Sequence, residues 1–174
     1  MKKTIILLIL ILALSCNSDN DQTNNTSLNL VTGVNFRQSA DDLSLQLGNP
    51  NVLVNDKFIM YPNPAIETLQ IVTQENVSDI WIVTAKPEKI YQDLDFSNVL
   101  NTNLYSEQSV IYNSEISLNG QSSDNIAMNI EGLEKGYYRV FVKIGGVLYW
   151  DNLYKNDDQG NSEEHIASLI NFWN

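Results

Sequence analysis

From Tyr137 to Trp150 the chain alternates as half-buried strands require. Tyr138, Val140, Val142 and Ile144 fall on one face of an extended segment. Tyr137, Arg139, Phe141 and Lys143 fall on the other. Gly145-Gly146 follows at once, and paired glycines reach positive φ without strain. A tight hairpin should therefore return the chain into Val147-Leu148-Tyr149-Trp150. A chain with this segment is committed to β-structure.

The same pattern recurs upstream. Leu43, Leu45 and Leu47 alternate with Ser44 and Gln46, and Ile126, Met128 and Ile130 alternate around Ala127. Ile80 and Ile82 alternate with Trp81 and Val83, so both faces of that strand are expected to be covered. Turn material separates the runs: Gly48-Asn49-Pro50-Asn51, Asn55-Asp56, Asn63-Pro64, Lys86-Pro87, Asn119-Gly120 and Gly132. The 23 asparagines suit many turns, because Asn tolerates the left-handed region. Short strands at close spacing point to a sandwich rather than a helical or βαβ fold. Tyr91 to Gln108 is less regular and is expected to be a long crossover.

One helix is expected, at the end of the chain. Ser162 can cap it, and Glu163 and Glu164 suit its positive N-terminus. Ile166, Leu169, Ile170 and Trp173 form one apolar stripe. The stripe either docks a partner or packs on the body of its own domain. The second is the commoner use of an amphipathic helix. Asp157 to Asn161 reads as a joint.

The N-terminus carries the layout of an export signal. Lys2 and Lys3 precede ten apolar residues, Ile5 to Leu14, where a bilayer span needs about 20. Small Ser15 stands before Cys16, the single cysteine of the chain. That position resembles a bacterial lipobox, although Ala13 and Leu14 fit only a loose version. An ordinary cleaved signal with a chance cysteine nearby is the plainer alternative. Lipidation is favoured because a free thiol in an exported protein can pair between molecules. The expected anchor is a diacylglyceryl and acyl lipid on Cys16, with no other cofactor and no metal. Asn17 to Ser27 contains no apolar side chain and reads as a disordered tether. Extended, it spans roughly 36 Å; as a coil it averages about 18 Å. Ser18-Asp19-Asn20-Asp21 resembles the acidic export signal of Bacteroidota lipoproteins carried to the outer face of the outer membrane. The expected organisation is a signal peptide over 1–15, a lipidated Cys and tether over 16–27, a sandwich over 28–155, and a joint and helix over 156–174.

The net charge is −11, and losing Lys2 and Lys3 with the signal makes the exported form two charges more negative. Such acidity argues against nucleic acid and against adhesion to anionic lipid, leaving Cys16 as the expected membrane contact. Catalytic signals are sparse. The sole histidine, His165, lies in the terminal helix, and no serine stands in a Gly-x-Ser-x-Gly elbow. Asp93 and Asp95 are the nearest thing to a carboxylate pair, and such loop acids are usually just solvated. Asp157 to Glu164 breaks the EF-hand pattern, placing Lys155 where the first Asp belongs. The chain is not expected to be an enzyme.

Met60-Tyr61-Pro62-Asn63-Pro64-Ala65, followed by alternating Leu69 and Ile71, resembles the type A C-terminal sorting domain of type IX secretion cargo in Bacteroidota. Gly136-Tyr137-Tyr138-Arg139-Val140 and Gly145-Gly146 stand where that family has its Gly-x-Tyr-x-Val strand and hairpin. The resemblance covers about residues 58–155 and implies an Ig-like antiparallel β-sandwich. Its motif residues here are Tyr61, Pro62, Asn63, Pro64, Gly136, Tyr138, Gly145 and Gly146. Val31-Thr32-Gly33-Val34 and Leu47-Gly48-Asn49-Pro50-Asn51 resemble small flavobacterial lipoproteins. Departures are the residues after Lys155, a long section between Lys86 and Asp124, the lack of a preceding cargo domain and the separate anchor at Cys16. The expected function is that of an accessory or scaffold subunit of an outer-membrane protein assembly. The alternatives are a type IX secretion client, or a glycan-binding lipoprotein using Trp81 and Trp150 as a sugar platform.

Overall fold

The computed structural model describes residues 28–157 and 163–174. The signal segment, Cys16, the tether and most of the acidic joint lie outside the described residues, as does Ser162. Strands run in the order β1 (Leu30–Val31), β2 (Gly33–Phe36), β3 (Leu45–Gly48), β4 (Phe58–Tyr61) and β5 (Thr68–Pro87). Helix α1 (Glu107–Asn113) precedes β6 (Ser114–Leu118), β7 (Ser123–Asn129), β8 (Gly136–Ile144) and β9 (Val147–Lys155), and helix α2 (Glu163–Trp173) ends the chain.

Strand β5 is 20 residues long and organises the rest. Its first half lies between β4 and β7, and its second half between β8 and β6. Register shifts fall between Val72 and Val77 on one edge and between Val77 and Asp79 on the other. Gln74, Glu75 and Asn76 at the shift are exposed. Bulges bend a strand and increase its twist, so one continuous strand serves both layers. In the first half only alternate residues, Leu69, Ile71 and Thr73, are buried; in the second half Ile80 to Val83 are buried without a break. Both faces of that half are thus covered, as the run of apolar residues there implies.

Directly opposed residues of an antiparallel pair share a face. Val140 and Val142 lie opposite Ile82 and Ile80, and all four join Phe58, Met60, Leu69, Ile71, Ile126 and Met128 in the main core. On the other face, Trp81, Phe141 and Trp150 stand in one row across three strands. Tyr105 meets Phe141 and Trp150 edge-on, with ring centroids 5.6 and 4.9 Å away. The hairpin turns at Gly145-Gly146, with φ of 58° and 81°, and Ile144 pairs with Val147. The fold is all-β and sandwich-like, closed by a short C-terminal helix. Among the described residues the strand pairs are antiparallel except at β1, which pairs parallel to the end of β5, and the single Ala65–Lys155 bridge is also parallel.

Two local expectations are corrected. Helix α1 lies at the end of the segment read as crossover. It is capped by Ser106, whose Oγ accepts from the Ser109 N–H at 3.2 Å. Its one buried side chain, Val110, leaves no apolar stripe to read. Leu43 and Leu45, expected on a buried face with Leu47, are exposed. Strands β2 and β3 form a separate two-stranded ribbon, in which Val34, Phe36 and Leu47 are buried while Leu45, opposite Phe36, stays exposed.

The terminal stripe packs on its own domain. Leu169 and Trp173 are buried with Val31, Val34, Phe36, Leu47 and Tyr154, and Ile170 packs against that cluster. Trp173 Nε1 donates to the Tyr137 hydroxyl at 3.0 Å. Gly48 has φ of 64°, and a Cβ there would stand 2.7 Å from the Trp173 ring. The glycine therefore serves both the turn and the close approach of α2. A Trp173→Ala variant should lose about 3 kcal/mol of stability in urea unfolding, the range for removing a buried aromatic. A loss under about 1 kcal/mol would mean that α2 is only loosely docked.

Candidate functional site

Asn63, the middle residue of the Tyr-Pro-Asn-Pro motif, is fully buried. Its backbone N–H and C=O pair with Arg37 at 2.7 and 2.8 Å, extending the ribbon toward the motif. Its side chain completes the outer edge of β9. Oδ1 accepts from the Tyr154 N–H at 3.0 Å, and Nδ2 donates to the Asn152 carbonyl at 2.9 Å. Nδ2 also donates to the Asn35 carbonyl at 2.8 Å. A carboxamide offers the same donor and acceptor as a peptide group, so Asn63 acts as a substitute strand residue. Leu53 and Ala65 bridge β9 on either side of it. Pro62 and Pro64 flank Asn63 without N–H groups, leaving no extra donors to satisfy.

Tyr61 and Pro62, half-buried, and buried Pro64 border a groove of about 700 Å³. Tyr61, Pro62, Pro64 and Ile66 give it an apolar wall. Gln38, Glu67, Thr68 and Gln70 add amide, carboxylate and hydroxyl groups. Tyr61 stands opposite Gln70 in register, on the sheet face away from the core. This mixture suits amide hydrogen bonding beside apolar contact. Gln38 and Gln70 are not distinguishable in the sequence from other surface amides.

Beneath the ribbon lies a polar network centred on Arg139, which is fully buried. Its Nε donates to Asn152 Oδ1 at 3.2 Å, and Nη1 donates to the Tyr105 hydroxyl at 2.7 Å. Nη2 donates to the Leu30 carbonyl and, at 3.5 Å, to the Asn51 carbonyl. Asn152 Nδ2 then reaches the Gly33 carbonyl at 2.9 Å and Asn51 Oδ1 at 3.0 Å. Asn51 Nδ2 donates to the Leu30 carbonyl at 2.9 Å. Burial pulls the guanidinium pKa down, while Tyr105 and Asp151 hold it up. Unpaired, such a charge could not stay in the interior. The oxygens it meets are two backbone carbonyls, a carboxamide and a phenol hydroxyl. The sequence reading placed Arg139 correctly on the second face of β8 but gave no reason to expect Asn51, Asn152 and Tyr105 around it.

Asp151 lies on the opposite face, directly across from Val140. It borders a small cavity of about 170 Å³ with Asn35, Arg37, Ser44 and Asp56. Desolvation pushes its carboxyl up to about 7, against the Asn152 N–H, the Asn35 side chain, Arg37 and Arg139, all of which favour the ionised form. A carboxyl whose pKa is raised on folding contributes stability below its unfolded pKa, near 4, and loses that contribution as pH rises through 7. Wild-type protein should therefore lose up to a few kcal/mol more unfolding free energy than Asp151→Asn between pH 5 and pH 8. Parallel pH profiles for the two proteins, measured in urea, would contradict the burial of an ionisable Asp151.

The remaining motif residues are structural in place. Tyr138 is buried and its hydroxyl donates to the Glu134 carbonyl at 2.7 Å, a link back to the strand's own lead-in. Trp81 and Trp150 are buried, so they cannot form the sugar platform considered from the sequence. Trp150 Nε1 is bound to the Asn51 carbonyl at 3.1 Å. Asp95 caps a 3-10 turn at Phe96–Asn98, and hydrogen bonds from Ser97 hold its carboxyl below the usual range. Asp93 is exposed nearby and Lys155 is buried at the end of β9. Ile166 borders a shallow pocket with Leu43, Leu45 and Pro64. Among the described residues no group of three or more His, Cys, Asp or Glu side chains is placed to hold a metal ion. No described helix is long and apolar enough to cross a membrane. No family model matches the chain, and no curated protein or solved structure matches it.

Proposed function

We propose that this protein is a non-catalytic lipoprotein of the outer-membrane surface, anchored through Cys16, that serves an outer-membrane protein assembly as an accessory subunit. Its contact surface in this reading is the groove beside Tyr61, and the occupant is an extended segment of a partner protein. The observation that carries the reading is the division of labour within the motif. Asn63 is tied to two strands, β2 and β9, while Tyr61, Pro62 and Pro64 line the groove on that fixed base. Rigid apolar walls with a few polar groups bind peptides at low entropic cost. The buried charges, by contrast, are engaged in holding the fold together. The signal layout and the acidic tether support the location.

A Tyr61→Ala/Gln70→Ala lipoprotein tests this reading. Affinity purification from crosslinked native membranes should recover the wild-type partner at least tenfold more strongly than the variant's. Unfolding free energies should agree within about 0.5 kcal/mol, as for surface substitutions. Equal recovery would overturn the groove as the contact surface. Binding of a soluble oligosaccharide by the groove, with no protein recovered, would favour the glycan alternative.

A further inference from the structure

Four large apolar side chains are exposed within ten residues of one another after β5. Ile90 is 37 % exposed, Tyr91 56 %, Leu94 39 % and Val99 50 %. Clusters of this kind usually mark a contact surface. The loop that carries them is held in shape. Asn49 Nδ2 donates to the carbonyls of Tyr91 and Leu94, both at 2.8 Å. Gln92 Nε2 donates to the Thr32 carbonyl at 2.8 Å. Tyr91 adopts φ of 58°, which is unfavourable for a bulky side chain and persists only where surroundings enforce it.

The loop also adjoins the place where the N-terminal segment joins the body. Leu30 and Val31 pair with Lys86 and Pro87, and the Glu88 N–H donates to the Val31 carbonyl at 2.9 Å. Cys16 stands twelve residues before Leu28, a span of at most roughly 40 Å. A lipid on Cys16 therefore keeps this loop, more than the far end of the sandwich, close to the bilayer. Lys89 in the loop and Lys86 just before it offset two of the three charges of Glu88, Asp93 and Asp95, so the approach suits a neutral headgroup surface rather than an anionic one.

We infer that the loop from Glu88 to Val99 is the membrane-facing surface of the anchored protein, with Ile90, Tyr91, Leu94 and Val99 seated among lipid headgroups. Tyrosine suits that level, since its ring is apolar and its hydroxyl stays wet. The inference rests on the lipid anchor at Cys16 and replaces the expectation that the anchor is the sole membrane contact. The loop orients the body on the bilayer and fixes which way the groove beside Tyr61 faces.

Hydrogen exchange on the full lipidated chain, bound to vesicles of phosphatidylethanolamine and phosphatidylcholine, tests it. The reference is the Cys16→Ser chain free in buffer, and flotation reports anchoring. Residues 88–99 should exchange at least tenfold more slowly on vesicles, while residues 113–125 exchange equally in both. A chain that floats with its loop unprotected overturns this inference and leaves the anchor standing. A chain that fails to float overturns both. Protection confined to native outer-membrane fragments assigns the loop to a protein partner and overturns the lipid contact.

Discussion

The guanidinium of Arg139 holds together parts of the chain that lie far apart in sequence. It reaches Leu30 from the N-terminal segment, Asn51 after the ribbon, Tyr105 before α1 and Asn152 on the neighbouring strand. A buried cation costs several kcal/mol in desolvation, and only a full set of oxygen partners offsets it. That requirement is directional, unlike hydrophobic contact. It fixes how the ribbon and the β1 segment sit on the sheet, where apolar packing alone would allow sliding. The placement of α2 follows, because its buried tryptophan rests on the ribbon base. The segment at Leu30 and the apolar loop follow too, because β1 pairs with the end of β5.

Asn63 performs a related task at the sheet edge. An open β9 would present unpaired backbone groups, a hazard for exported β-proteins. The asparagine closes that edge with a side chain and joins it to β2 through backbone. The turn it occupies thereby becomes rigid enough to present Tyr61 and two prolines. In the proposed reading stability and recognition meet in one motif, and different residues of it serve each.

Much of the sheet was legible because alternation has a simple geometric cause. The β8–β9 hairpin, with its glycine pair, needed nothing beyond local sequence. The covered second half of β5 was equally plain from Ile80 to Val83. What could not be read depends on contacts between distant residues. Leu45 and Leu47 look alike in sequence, yet only Leu47 meets α2 and the sheet. Helix α1 is too short for periodicity to reveal. Trp81 and Trp150 look like platform residues, yet both are buried, and Tyr105 packs edge-on against Trp150 and Phe141. Of the candidate groove, Tyr61 and the prolines announced themselves through a motif, whereas Gln38, Glu67 and Gln70 join them only through the fold. Nothing in the sequence marked Asn51 and Asn152 among so many asparagines.

The account depends most on the Arg139 network as the element that fixes the ribbon to the sheet. Equilibrium urea unfolding of Arg139→Met, which keeps length but removes every donor, tests this most directly. The variant should lose about 3 kcal/mol or more, because the buried oxygens of Asn152 and Tyr105 lose the Arg139 donors. Exchange should also rise selectively in residues 30–36 and 45–51. A loss below about 1 kcal/mol, with the ribbon still protected, would contradict it.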